Sequence, residues 1–331
     1  MKKVFLIMIS LLLLVLSACG KSESEKATST SGKLQKVSLM LDWYPNAVHS
    51  FLFAAKEKGY FEEQGLDVDI QMPADTNDPL KLVAADKIDM AISYQPQVLV
   101  ARGEDIPVQS FAAIVRHPLN QLMVPTDSSV KSPKDLAGKT IGYPSIPLDE
   151  AIVQTMVKAD GGDAQKIKMV DVGWDLIPAM ATKKTNALIG GYINHEKLLL
   201  DKEGHPMRTL NPADFGVPDY YELVMVGSEK ELKAKPEVFK KFMAAITKGQ
   251  KYVAQHPEEG LSVLMKHEDK SSPLEKDVET KSLEILLPLM DAKDNPFGYQ
   301  DPKTWNSVAQ WLKENKVIND KVEADNAFIN F

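Results

Sequence analysis

The chain has 331 residues, a formal net charge of −7, 44% apolar and 26% charged residues, and a single cysteine. That balance is the balance of a globular protein that buries a sizeable core. It offers no basic stripe for nucleic acid, and one cysteine leaves no pair for an internal disulfide.

The N-terminus comes first. Lys2 and Lys3 precede the apolar run VFLIMISLLLLVL, residues 4–16, and then Ser17, Ala18 and Cys19. A positive start, a short apolar run and small residues are the three parts of a secretory signal. The run is shorter than the roughly 20 residues a membrane span requires. Leu-Ser-Ala-Cys further resembles the bacterial lipobox, which implies acylation of Cys19 and cleavage just before it; the alternative is an ordinary signal with an incidental cysteine. The following KSESEKATSTSGK, residues 21–33, has no large apolar side chain and cannot offset its ordering entropy. Residues 1–18 are thus expected to be a signal peptide. Residues 19–33 form a lipidated tether that holds the protein on the extracytoplasmic face of the cell membrane.

Beyond the tether, about 300 residues remain, enough for one large domain or two ordinary ones. QKVSLML reads as a strand, and Val48, Phe51, Leu52 and Ala55 recur as on an amphipathic helix that Gly59 ends. LDVDIQM, KIDMAIS and VQSFAAIV are further strands, with DPLKLVAAD and PQVLVARG as the helices between them. The pattern then restarts. LAGKTIGY, KIKMVDVG and NALIGGY are strands separated by the helices LDEAIVQTMVKADGG and LIPAMATKKT, and YYELVMVGS is a strand leading back. Four mostly helical segments close the chain, the last bearing Trp305 and Trp311, which are read as core or interlobe packing. Strands alternating with helices at this pace predict mostly parallel, doubly wound α/β sheets. Two such units give a two-lobed fold with two hinge crossings and a central ligand cleft, lobe I comprising 34–116 and 223–331 and lobe II 117–222.

The turns at the strand ends carry the chemistry. Trp43-Tyr44, Tyr94, Tyr143, Trp174 and Tyr192 occupy five such turns, although aromatic residues make up only 7% of the chain. One aromatic in a turn is usually packing; five at the rim of one cleft suit stacking on a flat ligand. Asn46 and Tyr143 would add polar contacts. Glu196 would accept from an amino-bearing nitrogen heterocycle, or else be a solvated residue early in a helix. His49 faces either the cleft or solvent, and Arg116 sits at the hinge. The six histidines show no metal-binding spacing, and no phosphate loop or nucleophile elbow is present. No metal and no cofactor is expected, and the protein is read as a monomer.

The stretches LDWYPNAVHSFLFAAKEKGYFEEQGLDVDI, KIDMAISYQPQVLVARG, LAGKTIGY and NALIGGY together resemble the thiamine-pyrimidine precursor family. That family contains bacterial lipoproteins that feed an ABC importer and enzymes that make hydroxymethylpyrimidine phosphate. The resemblance implies the two-lobed periplasmic-binding-protein fold of type II, a small heterocyclic ligand such as a formylaminopyrimidine, and a membrane permease as partner. The DWYPN start is the part most specific to the pyrimidine group, since the GYFEEQGL block is shared with binding proteins for sulfonates, taurine and nitrate. The resemblance leaves a riboflavin-type cargo as a further alternative. The enzyme branch implies a lysine for pyridoxal phosphate just after the DM strand, a histidine four residues on, and a cysteine-rich iron motif. Ser93 and Gln97 stand at those places and Cys19 is the sole cysteine, so the resemblance implies binding rather than catalysis.

Overall fold

The computed structural model describes residues 33–331, so the signal segment, Cys19 and most of the tether lie outside the described residues. In chain order the strands are β1 (Gln35–Met40), β2 (Leu66–Gln71), β3 (Met90–Ser93), β4 (Val108–Val115), β5 (Leu122–Pro125), β6 (Thr140–Tyr143), β7 (Lys168–Asp171), β8 (Ala187–Leu188), β9 (Met207–Leu210) and β10 (Leu223–Ser228). They form two five-stranded sheets, ordered β2-β1-β3-β10-β4 and β7-β6-β8-β5-β9.

Neither sheet is purely parallel. β1 pairs in parallel with β2 and β3, but β10 runs antiparallel between β3 and β4. In the second sheet β6 is parallel to β7 and β8, while β5 is antiparallel to β8 and β9. The reason is the route of the chain. A strand entering from the other lobe starts at the cleft end, so it opposes the strands that finish there.

Helix Ser50–Glu57 differs from the amphipathic expectation. Residues Ser50 to Ala55 are all buried, because helix Pro236–Gln255 covers the face turned from the sheet. Gly249 permits that approach: a Cβ there would lie 2.2 Å from the Phe51 carbonyl oxygen. β4 is an edge strand, yet all eight of its residues are buried. Isolated bridges Ala113–Gly298 and Ser110–Phe328 lay the C-terminal segment along that edge, satisfying groups that would otherwise invite another chain.

The lobes are closed on one another. Thr76 Oγ1 donates to the Pro144 carbonyl at 2.9 Å, and Asn77 Nδ2 to the Ser145 carbonyl at 2.9 Å. Asn194 Nδ2 donates to Ser282 Oγ at 2.9 Å, and Trp311 Nε1 to Thr155 Oγ1 at 3.3 Å. Trp311 therefore packs between lobes, whereas Trp305 is fully buried in the core. Arg116 follows β4 at the crossing, donating to the Tyr299 carbonyl with its guanidinium over the Tyr221 ring. No helix among the described residues is long and apolar enough to cross a membrane.

Candidate functional site

A cleft of about 540 Å³, its open mouth included, lies where the strand ends of both sheets meet. Asp42 and Trp43 reach it from the end of β1 and Tyr94 from the end of β3. Opposite them stand Pro144, Ile146, Leu148 and Asp149 after β6, and Gly190, Tyr192, His195 and Glu196 after β8. Asn120, Tyr220 and Glu222 enter from the two segments that cross between sheets.

Asp42 is held from beneath. The Asn46 backbone N–H donates to His49 Nδ1 at 3.2 Å, which leaves the ring proton on Nε2, and Nε2 donates to Asp42 Oδ1 at 2.9 Å. Tyr94 lies with its hydroxyl 3.4 Å from Asp42 Oδ2. His49 thus faces neither cleft nor solvent, being 0% exposed. The Asn46 side chain is consumed as well. Its oxygen caps the turn at Val48 N and its amide donates to the Tyr44 carbonyl, so Asn46 shapes the loop rather than lining the cleft.

The loop after β8 is fastened to the first crossing. Asn120 and Tyr192 form an isolated bridge, and Asn120 Oδ1 accepts from Gly190 N at 2.7 Å. Gly190 adopts φ +86°, and a Cβ there would strike Pro144 Cδ at 2.3 Å and Asp149 Oδ2 at 2.8 Å; only glycine fits. Glu196, 4% exposed, opens helix Glu196–Lys202 and accepts from Tyr192 N at 2.8 Å. It is a buried residue of the cleft wall, not a solvated one. His195 Nε2 lies 2.7 Å from the Tyr44 hydroxyl, and its Nδ1 faces Glu279 Oε1 at 3.6 Å.

Glu222, 3% exposed, staples the crossings: its Oε2 accepts from Leu119 N at 2.7 Å and Asn120 N at 2.9 Å. Burial pushes its carboxyl up to about 7, and the Asp42 charge adds to that. Asp149, 2% exposed, accepts from Asn120 Nδ2 at 2.8 Å. Burial, with Glu222 nearby, raises it to about 7. Burial likewise raises the hydroxyls of Tyr94, Tyr192 and Tyr220, so they stay protonated and able to donate.

Of the residues singled out in the sequence, Trp43, Tyr94, Tyr192 and Glu196 meet at the cleft. Trp174 lies outside its lining but covers Trp43, the ring centroids 4.0 Å apart at 34°. Tyr143 lies outside the lining too, half-buried at the end of β6, and the following Pro144 takes its place. Sequence reasoning missed Asp42, Asn120, Asp149, Tyr220 and Glu222. A glutamate at the mouth of the apolar run ELVMVGS was the one available signal. Ser93 and Gln97 border a side recess of about 300 Å³ that shares Asp42 and Tyr94 with the cleft. Among the described residues no lysine or arginine lines the cleft, and no cluster of side chains is arranged to hold a metal. Aromatic walls with four carboxylates suit a flat, nitrogen-rich ring that brings its own N–H donors.

A family model described as NMT1/THI5 like matches residues 46–260. The chain is 43% identical over 329 residues to the formylaminopyrimidine-binding protein of Halalkalibacterium halodurans, covering 99% of this chain and 98% of the relative. It is 24% identical over 299 residues to the 4-amino-5-hydroxymethyl-2-methylpyrimidine phosphate synthase of Legionella pneumophila, covering 89% and 91%. Among solved structures, the alkanesulfonate-binding protein of Xanthomonas axonopodis pv. citri bound to MOPS superposes with a TM-score of 0.70 at 13% identity, covering 91% of this chain and 100% of that one. At that identity the likeness speaks to fold alone, and the fold is the two-lobed one of periplasmic binding proteins.

Proposed function

Because this chain belongs to the NMT1/THI5-like family, we propose that it is the extracytoplasmic solute-binding component of an ABC importer, capturing a formylaminopyrimidine-like thiamine precursor by closure of its lobes. The observation that carries the reading is the cleft itself, with aromatic walls, four carboxylates and, among the described residues, no lysine or arginine. Such a lining accepts hydrogen bonds from amino groups and repels a sulfonate or nitrate. Trp43, Tyr94 and Tyr192 wall the ring, Trp174 closes over Trp43, and Glu196 receives an exocyclic amine. Lobe I is 34–116 with 223–331 and lobe II is 117–222, a division supported by the strand membership of the two sheets.

The protein binds rather than transforms its ligand. Ser93 and Gln97 supply no amine for a Schiff base at the places where the synthase branch has lysine and histidine. Cys19 carries acyl chains that keep the protein beside its permease. Cys19→Ala therefore releases a folded protein from washed membranes; a variant that stays bound overturns the anchor.

The test of function is calorimetric titration with a formylaminopyrimidine and with taurine, alongside the mass of any molecule that co-purifies. Pyrimidine binding with no response to taurine is expected. Tight taurine binding without pyrimidine binding overturns the assignment.

A further inference from the structure

Asp149 stands in the first turn of helix Leu148–Ala159 with its two oxygens in different situations. Oδ1 is held by Asn120, whose backbone is fixed by Glu222 and whose side-chain oxygen takes Gly190 N–H. Oδ2 is buried, has no protein partner, and belongs to a residue of the cleft wall. The bare Cα of Gly190 leaves it open, since a Cβ there would sit 2.8 Å away. A buried carboxylate oxygen without a donor is costly, and nothing in the fold repays it.

Other charges facing the cleft do not help. Asp42, Glu196 and Glu222 are also acids. The one basic lining residue, His195, has the Tyr44 hydroxyl at Nε2, while its Nδ1 lies 3.6 Å from Glu279 and makes no hydrogen bond; neither nitrogen bonds to Asp149. Tyr94, Tyr192 and Tyr220 donate but bring no charge. The missing positive charge has to arrive with the occupant.

We propose that Asp149, positioned by Asn120, is the specificity-determining carboxylate of the cleft, and that it takes the ligand through a ring nitrogen that carries a proton when bound. This rests on the aminopyrimidine reading above. In a 4-aminopyrimidine the amino group makes a ring nitrogen basic, and protonation spreads the charge as in an amidinium. When the empty cleft holds Asp149 as the acid, capture breaks its O–H bond and forms an N–H bond on the ring, giving a carboxylate facing a cation. When Asp149 is ionised, the same proton comes from water. Below about pH 6, where acid and free ligand both hold protons, capture releases one; above about pH 8, where neither does, it takes one up. Affinity is greatest between.

The experiment titrates the wild type and Asp149→Asn with a formylaminopyrimidine from about pH 5.5 to about 8.5 in buffers of differing ionisation enthalpy, which counts protons. A benzene analogue lacking the ring nitrogens is run beside it. The wild type is expected to show a proton count that changes sign and a bell-shaped affinity. Asp149→Asn is expected to bind about 10- to 100-fold more weakly at pH 7 with little pH dependence. The analogue is expected to bind the wild type weakly and the variant about equally. An unchanged affinity and proton count in the variant overturns the inference, as does an analogue that rivals the pyrimidine. If the variant does not fold, the wild-type proton count and the analogue decide alone. A wild type that binds no aminopyrimidine overturns the functional reading and this inference together; pyrimidine binding without proton linkage overturns this inference only.

Discussion

The chain's four tryptophans do different work according to which lobe their neighbours come from. Trp305 and Trp311 project from helix Pro302–Glu314. Trp305 is wholly buried and stacks on Phe328 at 5.2 Å and 8°, a partner from its own lobe. Trp43 and Trp174 come from loops of opposite lobes, remain half-buried, and find each other only because the lobes are shut. An indole N–H without a partner does not separate them, since Trp43 and Trp305 both have one. The origin of the neighbours sets Trp305 apart, while Trp311, bonded to Thr155 of the other lobe, sides with Trp43 and Trp174. A side chain whose contacts belong to its own lobe stabilises the fold, and one whose contacts belong to the other lobe stabilises closure.

The most direct way to break that distinction is Trp305→Ala. It is expected to cost about 3–5 kcal/mol in denaturant unfolding while leaving the cleft of the folded fraction intact. A small loss would mean that Trp305 is dispensable to the core. The cleft should show the opposite balance. Its buried acids are raised in the folded state, so their contribution is fully present below the unfolded values of 3.8 and 4.5 and is lost as pH climbs toward about 7. The melting temperature of the unliganded protein should therefore fall across that window. Glu222→Gln should flatten the slope; a melt that rises with pH would contradict the assignment.

Trp43→Ala and Trp174→Ala sharpen the comparison from the other side. Each is expected to weaken ligand binding by about 1.5–3 kcal/mol, with the melting temperature of the free protein nearly unchanged. Large destabilisation at both would place them with Trp305 in the core. Glu196→Gln keeps the shape of the wall and removes a charge. Binding of an aminopyrimidine should drop by about 1–3 kcal/mol, and calorimetry with taurine should show no loss. The smallest effect belongs to Trp311→Phe, which removes the 3.3 Å hydrogen bond to Thr155 across the lobes, worth about 0.5–1.5 kcal/mol, together with some ring volume. Its readout is the affinity of the closed form. An unaltered affinity would make that contact incidental.

Eight of the ten strands are legible as apolar runs between turn residues. β5 and β9 are not: neither belongs to a strand–helix alternation, each leans on the other, and MRTL has no apolar periodicity to announce it. Strand direction was illegible too, since it follows from where the chain re-enters a lobe. At the cleft, position after a strand was enough to find Trp43, Tyr94, Tyr192 and Glu196. Asn46 and His49 misled for a physical reason: a polar residue just past a strand can cap the next turn as well as face a ligand, and here the pair completes a capping box. Asn120, Asp149 and Glu222 depend on how two crossings lie side by side, which no local pattern records.

The antiparallel place of β10 has a consequence for the order of events in synthesis. β10 inserts between β3 and β4, and the bridge to Phe328 then seals the edge, so the first sheet draws on residues more than a hundred positions apart. Contacts of such long range form late, after much loop entropy has been surrendered. A nascent chain that has released β1 to β4 still lacks the strand that joins β3 to β4. The first sheet therefore cannot be completed until residues 223–228 have emerged, and its open edge is covered only about a hundred residues later, when Phe328 follows.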